Sequence, residues 1–155
     1  MKDRGISART YLIGVFPENF FFECNLYQQA IFNVIANAVK FNKRHGSVQI
    51  YLSYNQVANA FETVVEDTGI GIPPEQQKNL FAVFRDKIGG SNKHKLDSTS
   101  GVGVGLTNAK IISEALDGYI QLHSRVDNGT IVTIGVKPPQ TEPTMLTIGD
   151  CENQL

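Results

Sequence analysis

Apolar and polar positions recur at helical spacing from residue 26 to residue 41. At about 100° per residue, Ile31, Val34, Ile35 and Ala38 fall on one side. Gln29, Asn33, Asn37 and Lys40 fall on the other, and Lys43-Arg44-His45-Gly46 ends the helix. Residues 48–54 alternate, with Val48, Ile50 and Leu52 against Gln49, Tyr51 and Ser53, which predicts a half-buried strand. Residues 61–65 read as a second strand, and 55–59 as the hairpin between the two. An earlier apolar run, 11–16, reads as a strand closed by a Pro17-Glu18-Asn19 turn. Pro74 suits a first helical position, and 75–84 follows as a short helix. Residues 85–100 are polar, glycine-bearing and aperiodic, hence a loop. A helix is predicted from about 105 to 117, stopped by Gly118. Strands at 119–125 and 130–137 are joined by an Asp127-Asn128-Gly129 turn.

The order strand, helix, hairpin, helix, loop, helix, hairpin predicts a mixed sheet with helices packed on one face. This is an α+β two-layer sandwich. Residues 1–19 are expected to form an N-terminal flank with room for one strand. Residues 20–139 form the domain, and 140–155 a tail or linker.

Composition narrows the function classes. The 155-residue chain is 41% hydrophobic and carries a net charge of −1, so nothing draws it to nucleic acid or an anionic membrane. No apolar run approaches the ~20 residues of a membrane helix. Lys2, Arg4 and Arg9 are not followed by the apolar segment of a secretory signal. Cys24 and Cys151 form no spacing pattern and are expected to be reduced thiols in an intracellular protein. His45, His94 and His123 have no partner at metal-ligand spacing and are expected to be structural or exposed.

Three stretches carry candidate chemistry. Asn33, Asn37 and Lys40 share a helix face at i, i+4 and i+7. An amide oxygen is a hard neutral ligand suited to Mg²⁺, and lysine reaches phosphate as a point charge. A solvated helix face would also explain the stripe, although asparagine is a mediocre helix former. In Asp67-Thr68-Gly69-Ile70-Gly71-Ile72-Pro73, an ionised aspartate follows a strand and can accept a hydrogen bond from an exocyclic amine. Gly69 and Gly71 let the backbone turn and approach a flat ring. A plain strand-ending turn is the alternative. Gly101-Val102-Gly103-Val104-Gly105-Leu106 opens a helix, where bare amides bind anions. It matches neither the dinucleotide fingerprint G-x-G-x-x-G nor the P-loop.

Taken in order, these stretches resemble the ATP-binding catalytic domain of sensor histidine kinases, relatives of gyrase B, heat-shock chaperone and mismatch-repair ATPases. The resemblance runs from about Phe20 to Lys137. The helix stripe resembles the N box, Asp67–Ile72 the G1 box, Leu80-Phe81-Ala82-Val83-Phe84 the F box, and Gly101–Leu106 the G2 box. Gly129-Thr130 is similar to the late glycine-threonine pair.

The resemblance implies the Bergerat-type fold and a Mg²⁺–ATP site. In it Asn37 holds the metal with Asn33 nearby, Lys40 contacts phosphate, and Asp67 reads the adenine amine with Thr130. Gly69, Ile70, Gly71 and Ile72 form the turn beside the base. Gly101, Val102, Gly103, Val104, Gly105 and Leu106 wrap the phosphates, and 85–100 is the ATP lid. Gyrase-type hydrolases carry a glutamate where this chain has Asn33, so the resemblance implies phosphoryl transfer rather than hydrolysis. Val102 stands where the family usually has a small hydroxyl residue, and Val104 replaces a usual leucine. The family's acceptor histidine lies on a dimerising helical hairpin. No histidine precedes His45, so the resemblance implies an acceptor elsewhere in a longer protein or in trans, with a receiver domain downstream. The implied location is cytoplasmic, alone or as the intracellular part of a membrane receptor. A nucleotide-binding regulatory module without transfer activity and a gyrase- or chaperone-type ATPase are the alternatives.

Overall fold

In the computed structural model, which describes residues 4–77, 80 and 104–138, the elements follow the expected order. Strand β1 (Ser7–Ile13) precedes helix α1 (Cys24–Lys40), then strands β2 (Ser47–Asn55) and β3 (Ala60–Asp67). Short helix α2 (Pro74–Gln77), helix α3 (Val104–Ala115) and strands β4 (Tyr119–Arg125) and β5 (Gly129–Val136) complete it. One five-stranded sheet runs β1-β2-β3-β5-β4. Only β1–β2 is parallel; the other pairs are antiparallel. The mixed sheet with helices on one face is the α+β sandwich that the sequence predicted.

The core lies between helices and sheet. Ala30, Val34 and Ala38 of α1 and Leu106, Ala109 and Ile112 of α3 meet Val48, Val65, Val132 and Ile134. The period of 3.6 on α1 and of 2 on the strands selects these positions. Ile31 and Ile35 flank the buried stripe, while Asn33 and Asn37 are half-buried beside it.

Several boundaries differ from the pattern for local reasons. Strand β1 spans Ser7–Ile13 rather than 11–16, because parallel pairing of Ser7 with Ser47 through Ile13 with Ser53 uses backbone, not apolar side chains. Gly14, at φ +82°, turns the chain away. Helix α1 begins two residues earlier than its apolar period. Strand β3 continues to Asp67, which pairs with Thr130. At the end of α3 the left-handed residue is Asp117, at φ +50°. Gly118 is needed instead for close approach, since a Cβ there would lie 1.9 Å from the Gly135 carbonyl. Of the helix expected over 75–84, only residues 75–77 and 80 lie among the described residues, and α2 spans Pro74–Gln77.

Asn42, 5% exposed, fixes where α1 ends. Its Nδ2 donates to the Ser47 carbonyl (3.0 Å), and its Oδ1 accepts from Lys43 N (2.9 Å) and Thr68 Oγ1 (3.1 Å). Ser47 N donates back to Thr68 Oγ1 (2.8 Å). This network ties the helix end to the start of β2 and to the turn after β3. Among the described residues no buried side-chain nitrogen or oxygen lacks a hydrogen-bond partner, as a low-dielectric interior requires.

Ile134 is 1% exposed and Phe32 71% exposed. Ile134→Ala is therefore expected to lose about 2–5 kcal/mol of unfolding free energy. Phe32→Ala should change it by less than about 0.5 kcal/mol. Urea unfolding of both variants checks the assignment of the core face.

Candidate functional site

A cavity of about 120 Å³ opens between α1, the ends of β3 and β5, and the segment after β3. Its floor is apolar, from Val34, Ala38, Val65, Leu80, Leu106 and Val132. Phe41, Ile70, Gly71 and Ile72 form a wall. Among the described residues, only Asn37, Asp67, Gln76 and Thr130 bring polar side chains to it. An apolar cleft with few convergent polar groups is the usual form of a small-molecule site.

Among the described residues, Asp67 is the one charged side chain lining the cavity. It sits where β3 ends, opposite Thr130. Its Oδ1 accepts from Gly69 N (2.7 Å) and Thr130 N (3.3 Å). Among the described residues Oδ2 accepts no hydrogen bond, so one face of an ionised carboxylate is left for a donor. Burial pushes the Asp67 carboxyl above its ordinary range. The two backbone bonds pull it back in part, and the nearby Glu66 charge adds to the rise.

The glycines around Asp67 serve packing. A Cβ at Gly69 would lie 2.5 Å from the Phe41 carbonyl oxygen. Gly71 takes φ +68° and would bring a Cβ within 1.9 Å of the Arg125 carbonyl oxygen. Gly129, at φ +86°, would bring one equally close to the Asp67 carbonyl. Ile70 N donates to Phe41 O (3.1 Å) and Asp127 N to Ile70 O (2.8 Å), so the turn is pinned to the end of α1 and to the β4–β5 hairpin.

The structure gathers Asn37, Asp67, Ile70, Gly71, Ile72, Leu106 and Thr130 around one cavity. Gly105 packs against Asn37, whose Nδ2 would lie 3.0 Å from a Cβ there. Asn33 is one turn away on α1, its carbonyl beside Gly105, and does not line the cavity. Lys40 is exposed at the helix end, its Nζ 5.1 Å from the Phe41 ring centroid. Gly69 is buried behind Asp67 and does not line the cavity. Gly101, Val102 and Gly103, the segment 85–100 and residues 81–84 lie outside the described residues. Val104 begins α3.

Sequence reasoning missed several residues at the site. Phe41 and Gln76 line the cavity. Gln77 Nε2 donates to the carbonyls of Ile72 (2.6 Å) and Ser124 (3.0 Å). Ser124 Oγ meets Ile72 N (2.9 Å), Gly129 O (3.0 Å) and Thr130 Oγ1 (2.9 Å). Phe41, at the end of the apolar period of α1, was the one with a readable signal.

No group of three or more His, Cys, Asp or Glu among the described residues could cage a metal. The donor set instead offers a neutral amide at Asn37, suited to an ion that takes its other ligands from phosphate and water. No helix among the described residues is long and apolar enough to cross a membrane.

The raised carboxyl has a consequence for stability. With a folded pKa above the unfolded one, Asp67 favours folding only when protonated, and that contribution fades as pH rises through the raised value. At pH 7 its charge is a net cost. Asp67→Asn keeps an oxygen for the Gly69 and Thr130 amides and removes that cost. Thermal melts at pH 7 should show a midpoint no lower than that of the wild type, with any advantage shrinking as pH falls toward 3.8. A lower midpoint at pH 7 would contradict this electrostatic account.

Comparison with known proteins agrees with this geometry. The model of the histidine kinase-, DNA gyrase B- and HSP90-like ATPase family matches residues 24–141. The signal transduction histidine-protein kinase BarA of Escherichia coli (strain K12) is 30% identical over 132 residues, 83% of this chain and 14% of BarA. The circadian input-output histidine kinase CikA of Synechocystis sp. is 34% identical over 147 residues, 94% of this chain and 18% of CikA. The sensor histidine kinase RppB, also of Synechocystis sp., is 35% identical over 113 residues, 72% of this chain and 23% of RppB. The chain thus spans less than a quarter of the length of these relatives. Among solved structures, full-length ShkA in complex with AMPPNP shares the fold at a TM-score of 0.69 and 21% identity, over 90% of this chain and 27% of that one. The catalytic domain of histidine kinase ThkA does so at 0.65 and 20% identity, over 88% and 82%. The chain belongs to the histidine kinase-, DNA gyrase B- and HSP90-like ATPase family, as an ATP-binding catalytic domain of the histidine kinase type.

Proposed function

We propose that residues 20–139 bind Mg²⁺–ATP and transfer its γ-phosphoryl group to a histidine on a separate dimerisation domain, in a cytoplasmic two-component phosphorelay. The observation that carries this reading is the Asp67 carboxylate, with its second oxygen unbonded, in an apolar cleft beside Asn37. The base fits against Ile70 and Ile72, its exocyclic amine donating to Asp67 and supported by Thr130. Asn37, with Asn33 nearby, holds Mg²⁺, and Lys40 contacts phosphate. The Gly101–Gly105 loop completes the phosphate contacts at the start of α3, where unpaired amides favour anions. Bound Mg²⁺ neutralises charge on the transferring group.

Asn33 supports transfer over hydrolysis, because an amide cannot take a proton from water as a carboxylate would. The chain's own work is positioning and electrostatic complementarity. The acceptor histidine and the receiver that drains it lie on partner domains, in the same longer protein or in trans.

Calorimetry with a non-hydrolysable ATP analogue tests the site. The wild type should bind more tightly with Mg²⁺ than without. Asn37→Ala should erase most of that difference, and Asp67→Asn should weaken binding by about tenfold or more in either condition. Unchanged affinity in both variants would sink the proposal. Labelled γ-phosphate should appear on a histidine of an added dimerisation domain. Rapid phosphate release by the chain alone would favour an ATPase instead.

A further inference from the structure

Ser124 lies on the core face of β4, opposite Thr130, and the nucleotide contacts proposed above do not use it. Its hydroxyl meets three groups at once. It accepts from Ile72 N at 2.9 Å, donates to the Gly129 carbonyl at 3.0 Å, and lies 2.9 Å from Thr130 Oγ1. A serine hydroxyl has one proton and two lone pairs. With its proton on Gly129 and one lone pair on Ile72 N, only a lone pair remains for Thr130. With those two bonds made, Thr130 is the donor in the third. Its single proton is spent inside the protein, and it can offer the cavity it lines only lone pairs. Asp67, taking two backbone amides on Oδ1, also faces the cavity as an acceptor.

We propose that Ser124 is a positioning residue for base specificity. By taking up the Thr130 proton it makes the Asp67–Thr130 end of the cavity acceptor-only. At position 6 of the base such an edge suits the amine of a 6-amino purine, which brings donors, and disfavours the oxygen of a 6-oxo purine, which brings only lone pairs there. Gln77 holds the arrangement in place, its amide bridging the Ile72 and Ser124 carbonyls. Without the Ser124 oxygen, the Thr130 hydroxyl is free to rotate and donate into the cavity. This inference rests on the base occupying this cavity, as proposed above.

The test is calorimetric affinity of the full chain for ADP and IDP, in wild type, Ser124→Ala and Ser124→Thr. Wild type should prefer ADP. Ser124→Ala should shrink the ADP-over-IDP ratio about tenfold, the worth of one hydrogen bond, and Ser124→Thr, which keeps the hydroxyl, should restore it. A merely structural role would weaken both ligands alike, and an unchanged ratio in Ser124→Ala would overturn the inference. So would a wild type that binds ADP and IDP equally, which leaves the nucleotide site itself standing. A wild type that binds neither overturns the nucleotide reading and this inference with it. Should Ser124→Ala fail to fold by circular dichroism, Ser124→Cys, similar in size and a weak hydrogen-bonding group, replaces it with the same expected loss of ratio.

Discussion

A carboxylate half-buried in an apolar cleft constrains everything around it. Asp67 gives up water on entering the cavity, and the cost shows as a carboxyl titrating above its ordinary range. Two backbone amides offset part of that cost, and both reach the same oxygen. To bring them there, β3 must run on to Asp67, β5 must begin at Gly129, and the chain must double back at Gly69. Each step needs close backbone contact. Gly129 crowds the Asp67 carbonyl, Gly69 the Phe41 carbonyl, and Gly71 the Arg125 carbonyl. The Asn42–Ser47–Thr68 network then locks the turn to the end of α1, so the helix bearing Asn37 and the strand bearing Asp67 keep a fixed relation. Such preorganisation lowers the ordering cost of binding.

The architecture was legible because it depends on periodicity. Val34 and Ala38 recur at helical spacing, and Val48, Ile50 and Leu52 at strand spacing, and these patterns record which face is buried. Asp67 and Thr130 were singled out through the motif resemblance, and pairing across β3 and β5 makes them neighbours that line one cavity. Edge strand β1 was misplaced because its pairing is written in backbone, and all seven of its side chains are exposed. The sequence marked the glycines after Asp67 as turn positions without showing what crowds them. They accommodate other parts of the protein's backbone, and sequence carries no record of what lies across a gap.

Ser124, Gln76 and Gln77 were invisible for a related reason. A serine on a strand and a glutamine in a short helix have no periodic signature. Their importance arises from where β4 and α2 meet, a contact between segments 47 residues apart for the Gln77–Ser124 pair. Polar networks of this kind are set by tertiary geometry, and propensity does not register them. The pattern also divides the protein's tasks. In the proposed reading, the apolar floor supplies burial, the carboxylate recognition, and the asparagine-bearing helix a neutral metal donor. The chain spans less than a quarter of each relative described above.

The central claim is that Asp67 receives a hydrogen bond from the base of a bound nucleotide. Carbon-13 NMR titration of the Asp67 carboxyl, with and without saturating ADP, tests it most directly. In the free chain the carboxyl should titrate above the ordinary aspartate value. Bound ADP should move it downward, since a donor on the carboxylate favours the charged form. ADP that binds while the Asp67 titration stays where it was, or moves upward, would contradict the account.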